Sequence, residues 1–337
     1  MTQSFQIQTS ALYGLDELLD ELGLESDDWL NSFGLTTADI KTEQKTMDIG
    51  VFVNLLQKTA EKTQCKNLGL RLGAKQDFRI LGPLGLLLQN CHTPRDALNA
   101  ARGFMWFHNQ TEYWDYSIEG HDLHLRRYEI FHDMADTRQY KELSLSACYQ
   151  LCKLLMGSDF KGVRLAFSHA PISTKKTYEQ HFNMPVHFNC EYDALVVPSQ
   201  YLDVPIPNAN QALKGFAHEY LKTRKKHQDQ DIEQQVVSLI QQTMSTQHPT
   251  IENIAELLHM SKRTLQRRLK DKGLVFKQLL SETRIKTAKW YLASSQIDIT
   301  LLSDILGYRD VSALSRAFKQ ATQVPPLQWR KQSATSS

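Results

Sequence analysis

The period of the apolar positions changes along this chain. Up to about residue 210, helical spacing alternates with strand spacing, and from about Asp231 onward every strong signal is helical. Thr9 and Ser10 stand before an amphipathic stretch that ends at Leu22, and Asp48 stands before Val51, Leu55 and Leu56, so two helix starts are predicted there. Thr93-Pro94-Arg95-Asp96 combines an N-cap, a proline at the first helical position and an acid in the first turn, and predicts a helix to about Phe107. Strand patterns at 111–118 and 122–130 flank Glu119-Gly120-His121, which reads as a hairpin turn. A helix over about 143–156 then precedes short strands near 163–167, 186–188 and 194–197. With no run of βαβ units, this half reads as α+β.

Val204-Pro205-Ile206-Pro207-Asn208 closes that pattern. A modestly amphipathic helix follows and leads to Lys222–Gln230, a charged run that reads as an exposed linker and candidate hinge. The predicted organisation is an effector-binding and dimerisation domain at 1–210, a helical segment with a basic linker at 211–230, an all-α domain at 231–332 and a disordered tail at 333–337.

Within the all-α domain, Thr250 can cap a helix whose Ile251, Ile254, Ala255 and Leu258 share one face. Ser261 can cap a second helix that turns Leu265 and Leu269 inward and Lys262, Arg263, Gln266, Arg267 and Lys270 outward, until Gly273 stops it. The pattern repeats. Leu302, Ile305 and Leu306 supply another apolar helix with Gly307 at its turn, Asp310 takes the capping role, and Leu314 and Phe318 match Leu265 and Leu269. The second exposed face then comprises Val311, Ser312, Ser315, Arg316 and Lys319. Residues 276–293 contain no Gly or Pro and read as one connecting helix, roughly 27 Å long at 1.5 Å per residue. A rod of that length suits two recognition helices one DNA turn apart, roughly 34 Å.

Composition sharpens this picture in one respect. The formal net charge is only +2, but residues 231–337 carry 15 Lys and Arg against 9 Asp and Glu, while the rest carries 24 against 28. A basic tail domain on an acidic body points to nucleic acid at that end. The longest apolar run, 80–88, is far shorter than the roughly 20 residues that cross a bilayer. The first 40 residues hold eight acids and no Lys or Arg, which fits neither a secretory nor a transit segment, so a cytoplasmic protein is the expectation. Cys65, Cys91, Cys148, Cys152 and Cys190 are an odd set with no CxxC pair, which argues for free thiols and against a disulfide framework or zinc module.

The stretches Ile254-Ala-Glu-Leu-Leu-His-Met-Ser-Lys-Arg-Thr-Leu-Gln-Arg-Arg-Leu-Lys270 and Gly307-Tyr-Arg-Asp-Val-Ser-Ala-Leu-Ser-Arg-Ala-Phe-Lys319, closed by Pro326-Leu-Gln-Trp-Arg330, resemble the DNA-binding domain of the AraC/XylS transcription regulators. Gln323 departs from that pattern, because the family usually has Gly there, and at a helix C′ position a residue with a Cβ costs around 1 kcal/mol. The upstream half is similar to the arabinose-binding-type regulatory domain of the same family through Gly69-Leu-Arg-Leu-Gly73, Leu81-Gly-Pro-Leu-Gly85, Phe167-Ser-His-Ala-Pro171 and Phe182-Asn-Met-Pro-Val-His-Phe188. The resemblance implies a sensing and dimerising domain, promoter DNA and RNA polymerase as partners, and a homodimeric activator, without making arabinose the ligand.

Base readout is assigned to Arg263, Gln266, Arg267 and Arg316, since Arg bonds guanine and Gln bonds adenine in a bidentate way. Phosphate contact is assigned to Lys262, Lys270 and Lys319. For the effector, the aromatic cluster that includes Trp106, Phe107, Trp114 and Tyr116 can wall a pocket for an apolar or amphipathic molecule, with ordinary core packing as the competing reading. Arg126 and Arg127 are candidate anion anchors, with an exposed pair as the default. His121 and His124 lack a third ligand at metal spacing, and the chain has no Walker, Rossmann or nucleophile-elbow motif, so no metal, cofactor or catalytic residue is expected. The competing functional classes are a DNA-targeted modifying or repair enzyme, for which none of the five cysteines follows a proline, and a low-specificity architectural DNA binder.

Overall fold

In a computed structural model, the described residues are 5–42, 45–109, 111–129, 136–157, 161–207, 209–227, 232–244, 249–258, 260–294 and 297–334. The chain divides into two compact units, Met1–Lys226 and His227–Ser337.

The first unit opens with β1 (Gln6–Gln8), α1 (Leu15–Glu21), α2 (Ser26–Asn31), β2 (Thr46–Asp48), α3 (Ile49–Lys62), α4 (Leu68–Ala74), α5 (Gly82–Gln89) and α6 (Pro94–His108). It continues with β3 (Glu112–Glu119), β4 (Asp122–Glu129), α7 (Arg138–Met156), β5 (Arg164–Ala166), α8 (Lys175–Phe182), β6 (Val186–His187), β7 (Asp193–Pro198) and α9 (Gln211–His227). This is the expected α+β architecture, with β1 and β2 forming a small antiparallel pair that the hydrophobic pattern did not reveal. The five-stranded sheet has the order β3-β4-β7-β5-β6, antiparallel except at β5–β6.

Local chemistry explains most starts and stops. The Asp48 carboxylate accepts from the Gly50 N–H at 2.7 Å and Thr93 Oγ1 accepts from the Asp96 N–H at 3.2 Å, so both predicted caps form. The hairpin turn is tighter than expected, two residues rather than three, with Gly120 at φ +62°. Thr9 and Ser10 are not caps. Their hydroxyls are buried and donate to the carbonyls of Asp39 (2.5 Å) and Ile80 (3.0 Å), within a 3-10 turn that Gly14 separates from α1. The charged run after Lys222 is not an open loop up to His227, because α9 continues through it, as strong helix formers such as Lys and Arg allow. Residues 228–231, part of the candidate hinge, lie outside the described residues.

Helices α4 and α7 cross with their backbones almost touching. A Cβ on Gly69 would sit 2.1 Å from the Gln139 carbonyl oxygen, and one on Gly73 would sit 2.5 Å from Ser146 Cβ. Only glycine permits that approach.

The charge arrangement differs sharply from the default expected for Arg126 and Arg127. Alternation along β4 turns Leu123, Leu125 and Arg127 inward, and the Arg127 side chain is completely buried. Its Nε donates to Glu112 at 2.5 Å, and its Nη1 donates to Glu129 at 3.0 Å and Asp193 at 3.2 Å. The guanidinium also lies 4.7 Å from the centre of the Tyr140 ring on α7. Ser144 on α7 donates to Glu112 at 2.8 Å, so the cluster joins three strands to one helix. Burial opposes ionisation of Asp193, but Lys141, Arg127 and the Ser168 N–H outweigh it and hold its carboxyl below the usual range. Arg126 occupies the other face, bonded to Ser117 and Glu119.

A second buried acid, Glu142, lacks such a counter-ion in contact. One of its oxygens accepts from the Tyr178 hydroxyl and the other has no hydrogen-bond partner. Burial pushes this carboxyl up to about 8, against the opposing pull of Tyr178 and Arg138.

Two outcomes follow from these acids. Arg127→Met leaves three buried carboxylates without their cation and is expected to cost about 3–5 kcal/mol at neutral pH, read from hydrogen-exchange protection in β4 and α7. Because the folded state holds the Glu142 proton more tightly than the unfolded chain does, stability contributed by this site falls as pH rises from about 4.5 to about 8. Glu142→Gln should flatten that part of the pH-stability curve, and an unchanged slope would refute the assignment.

Candidate nucleic-acid interface

The second unit consists of α10 (Ile232–Thr243), α11 (Ile251–Leu257), α12 (Lys262–Asp271), α13 (Phe276–Ser294), α14 (Ile299–Ile305), α15 (Val311–Thr322) and α16 (Pro326–Ala334). The tail expected at 333–337 therefore begins within a helix, and residues 335–337 lie outside the described residues.

Helix α11 starts where Thr250 Oγ1 accepts from the Asn253 N–H at 3.2 Å, and it buries Ile254 and Ala255. Helix α12 starts where Ser261 Oγ accepts from the Thr264 N–H at 3.1 Å. It buries Leu265 and Leu269 completely and leaves Lys262, Arg263, Gln266, Arg267 and Lys270 exposed. Its end is closed by Gly273 at φ +72°, with the Leu274 N–H bonded back to the Leu269 carbonyl at 2.9 Å.

The second helix pair repeats each device. Asp298 caps α14 by accepting from the Thr300 N–H at 2.7 Å, and Gly307 closes it at φ +66°, with the Tyr308 N–H bonded to the Ser303 carbonyl at 3.0 Å. Asp310 caps α15 by accepting from the Ala313 N–H at 2.7 Å, which with Arg309 holds its carboxyl below the usual range. Leu314 and Phe318 are fully buried, Ser312, Arg316 and Lys319 are exposed, and Val311 and Ser315 are half-buried.

The connecting helix α13 is one unbroken element of 19 residues, about 28 Å long at 1.5 Å per residue. Its Arg284 is half-buried, donates to the Gly307 carbonyl at 2.8 Å and lies 4.9 Å from the Tyr308 ring centre. A cation placed on the carbonyls that end α14 is favourable there, and it pins the turn of the second helix pair to α13. Trp329 on α16 meets the ring of Phe318 edge-on at 5.8 Å and carries Lys289 above its face at 4.9 Å. Arg330 donates to the Ile297 carbonyl at 2.5 Å. The closing motif at 326–330 thus buttresses α15 from behind.

Two cations depart from the sequence reading. Lys262 does not stand free, because its ammonium lies 2.6 Å from the Glu252 carboxylate on α11. Arg309, not singled out from the sequence, has its side chain 86% exposed beside the cap of α15, so it belongs with the candidate contacts. Its signal was a cation one residue before a recognition-helix N-cap.

Of the four effector candidates, Trp114 and Tyr116 have their side chains among the described residues. Trp114 and Tyr116 lie on the inward face of β3 and pack against the core. Trp114 Nε1 donates to Glu112 at 3.2 Å, and the Tyr116 hydroxyl donates to Asn99 at 2.7 Å beneath the Arg102 guanidinium. For these two the core-packing reading fits, because inward alternation on a helix-covered sheet spends aromatics on packing. The side chains of Trp106 and Phe107 lie outside the described residues.

A family model for the N-terminal arabinose-binding domain of AraC transcription regulators matches residues 23–206, more than half of the chain. A helix-turn-helix domain model matches residues 254–332. The chain is 28% identical over 326 residues to the HTH-type transcriptional regulator VirS of Mycobacterium tuberculosis, covering 96% of each protein. It is 26% identical over 275 residues to the HTH-type transcriptional regulator VqsM of Pseudomonas aeruginosa, covering 78% of this chain and 83% of that protein. The crystal structure of the transcriptional regulator CdpR from Pseudomonas aeruginosa aligns at a TM-score of 0.46 and 22% identity, covering 93% of this chain and 98% of that one.

Gln323 sits in the left-handed region at φ +67°, where a Cβ is strained. Gln323→Gly should relieve about 1 kcal/mol and slow hydrogen exchange in α15 and α16 about five-fold, without altering the exposed faces. Faster exchange in that variant would show that the cap is not strained.

Proposed function

Because the chain belongs to the AraC family of transcription regulators, we propose that its two helix pairs read a promoter by placing α12 and α15 in successive major grooves. The observation that carries this reading is the repeat itself. Each pair has a capped second helix that buries an apolar i, i+4 pair and turns a guanidinium- and ammonium-bearing face to solvent. In this reading Arg263, Gln266, Arg267 and Arg316 contact base edges, with Val311, Ser312 and Ser315 adding close contacts. Lys270, Lys319 and Arg309 contact phosphate, and Lys262 does so once released from Glu252.

The first unit, in the same reading, senses a small molecule and mediates self-association, so that a homodimer binds paired half-sites and activates transcription through RNA polymerase. The protein works in the cytoplasm. No helix among the described residues is long and apolar enough to cross a membrane. Regulation, and no catalysis of its own, is the proposed role. In line with it, burial pushes the Cys91 and Cys190 thiols up, and the Cys152 contact followed by burial does the same to Cys148, the reverse of what a nucleophile needs.

The test compares Arg267→Ala with Lys270→Ala in competition between a cognate promoter and random DNA. Arg267→Ala should erode discrimination at one base position by about 1–3 kcal/mol. Lys270→Ala should weaken all sequences alike and lower the salt-dependence slope by about 1. If Arg267→Ala weakens every sequence equally and leaves base preference intact, the assignment of readout to α12 fails.

A further inference from the structure

A cleft of about 1180 Å³ opens on the first unit between α5, the last turn of α7 and α9. Its lining is mixed in chemistry, with a polar part, Lys41, Asp77, Arg79 and Gln89, and an apolar part, Leu86, Leu154, Ile206 and Tyr220. In the apolar part Leu154 is 53% exposed and Tyr220 is 43% exposed, large side chains left open to water on a concave surface.

The charges of the polar part are already matched. Arg79 grips Asp77 through Nε and Nη2 at 2.6–2.9 Å and lies 4.3 Å from the Tyr13 ring centre. The Lys41 ammonium lies 2.7 Å from the Asp16 carboxylate. An anionic head group at Arg79 meets the Asp77 carboxylate already there, and a cationic one at Asp77 or Asp16 meets Arg79 or Lys41, so either charge faces a like charge beside its partner. An uncharged polar head group faces no such competition, because the N–H groups of Arg79 outside the pair and the exposed Gln89 amide can bond it directly.

We infer that this cleft binds an uncharged amphiphile, its apolar body against Leu86, Leu154, Ile206 and Tyr220 and its hydrogen-bonding head at Arg79 and Gln89. The site names the ligand class of the effector-responsive reading and rests on that reading for its regulatory consequence. Tyr220 stands on α9 beside Ala217 and Leu221, which pack into the core of the unit. A molecule bridging Tyr220 to Leu86 and Leu154 adds to the contacts that hold α9 on the body. Helix α9 is also the element that ends at the boundary of the DNA-reading unit. Occupancy of the cleft is therefore felt by the segment that enters that unit.

Calorimetry on the full chain with 4-phenylbutyramide, 4-phenylbutyrate and 4-phenylbutylamine varies the head-group charge on one apolar body. The amide should bind at least five-fold more tightly than either charged congener. Leu154→Asn and Tyr220→Ser should each weaken it about ten-fold while leaving promoter affinity without the amide unchanged. Bound amide should also slow hydrogen exchange across residues 213–223. The inference is overturned by no amide binding at 10 mM, by tighter binding of a charged congener, or by parent-like affinity in both variants. A change in oligomeric state of either variant without the amide would assign the cleft to a second copy of the chain and equally overturn it. Expected amide binding that leaves promoter affinity unmoved supports the site and removes only the effector role.

Discussion

Rotation of the first recognition helix about its own axis is fixed by two leucines one turn apart. Leu265 and Leu269 are fully buried, and rolling α12 enough to hide its basic face would bring both into water, at about 1.5–3 kcal/mol each. Arg263, Gln266, Arg267 and Lys270 therefore face solvent before any DNA arrives. Leu314 and Phe318 impose the same constraint on α15, and Trp329 seats Phe318 from the other side. What is pre-set in this way need not be ordered on binding, so less of the interaction energy is lost to conformational entropy. The connecting helix extends the constraint beyond a single pair, because Arg284 bonds the turn that separates α14 from α15.

The first unit uses buried charge for a related end. Glu112, Glu129 and Asp193 come from three strands and converge on one guanidinium. Ion clusters of this kind often add little net stability over an apolar core, but they penalise the wrong arrangement heavily. A one-residue slip of β4 would carry Arg127 and Glu129 to the opposite face and leave Glu112 and Asp193 buried without a cation. The cluster therefore specifies register, and through Tyr140 and Ser144 it specifies where α7 lies on the sheet. The last turn of the same helix supplies Leu154 to the cleft, so the position of one cleft wall is tied to the register of the sheet.

Any small-molecule control of such a regulator depends on differential affinity, since a ligand that binds two arrangements equally shifts neither. A cleft with one wall on α9 meets that condition in principle, because its geometry changes when α9 moves against the body. In the aromatic stretch at the helix-to-hairpin junction, Trp114 and Tyr116 are committed to packing and hydrogen bonds inside the unit.

The sequence by itself determined the features whose causes lie within about one helical turn. Caps at Asp48, Thr93, Thr250, Ser261 and Asp310, the glycine stops at Gly273 and Gly307, and the inward pairs at Leu265 and Leu314 are local hydrogen bonds or periodicities, so they were legible before any fold was known. The family resemblance added the unusual Gln323, which does adopt the positive φ that glycine would take without strain. Tertiary structure alone decided where separately read pieces meet. Arg127 finds Asp193 across 66 residues, Gly69 meets Gln139 across 70, and Arg284 reaches Gly307 across 23. Strand alternation sent Arg126 and Arg127 to opposite faces but could not say which face a helix would cover. The cleft was invisible for the same reason, since its walls come from elements far apart in the chain and acquire their chemistry only when packing brings them together.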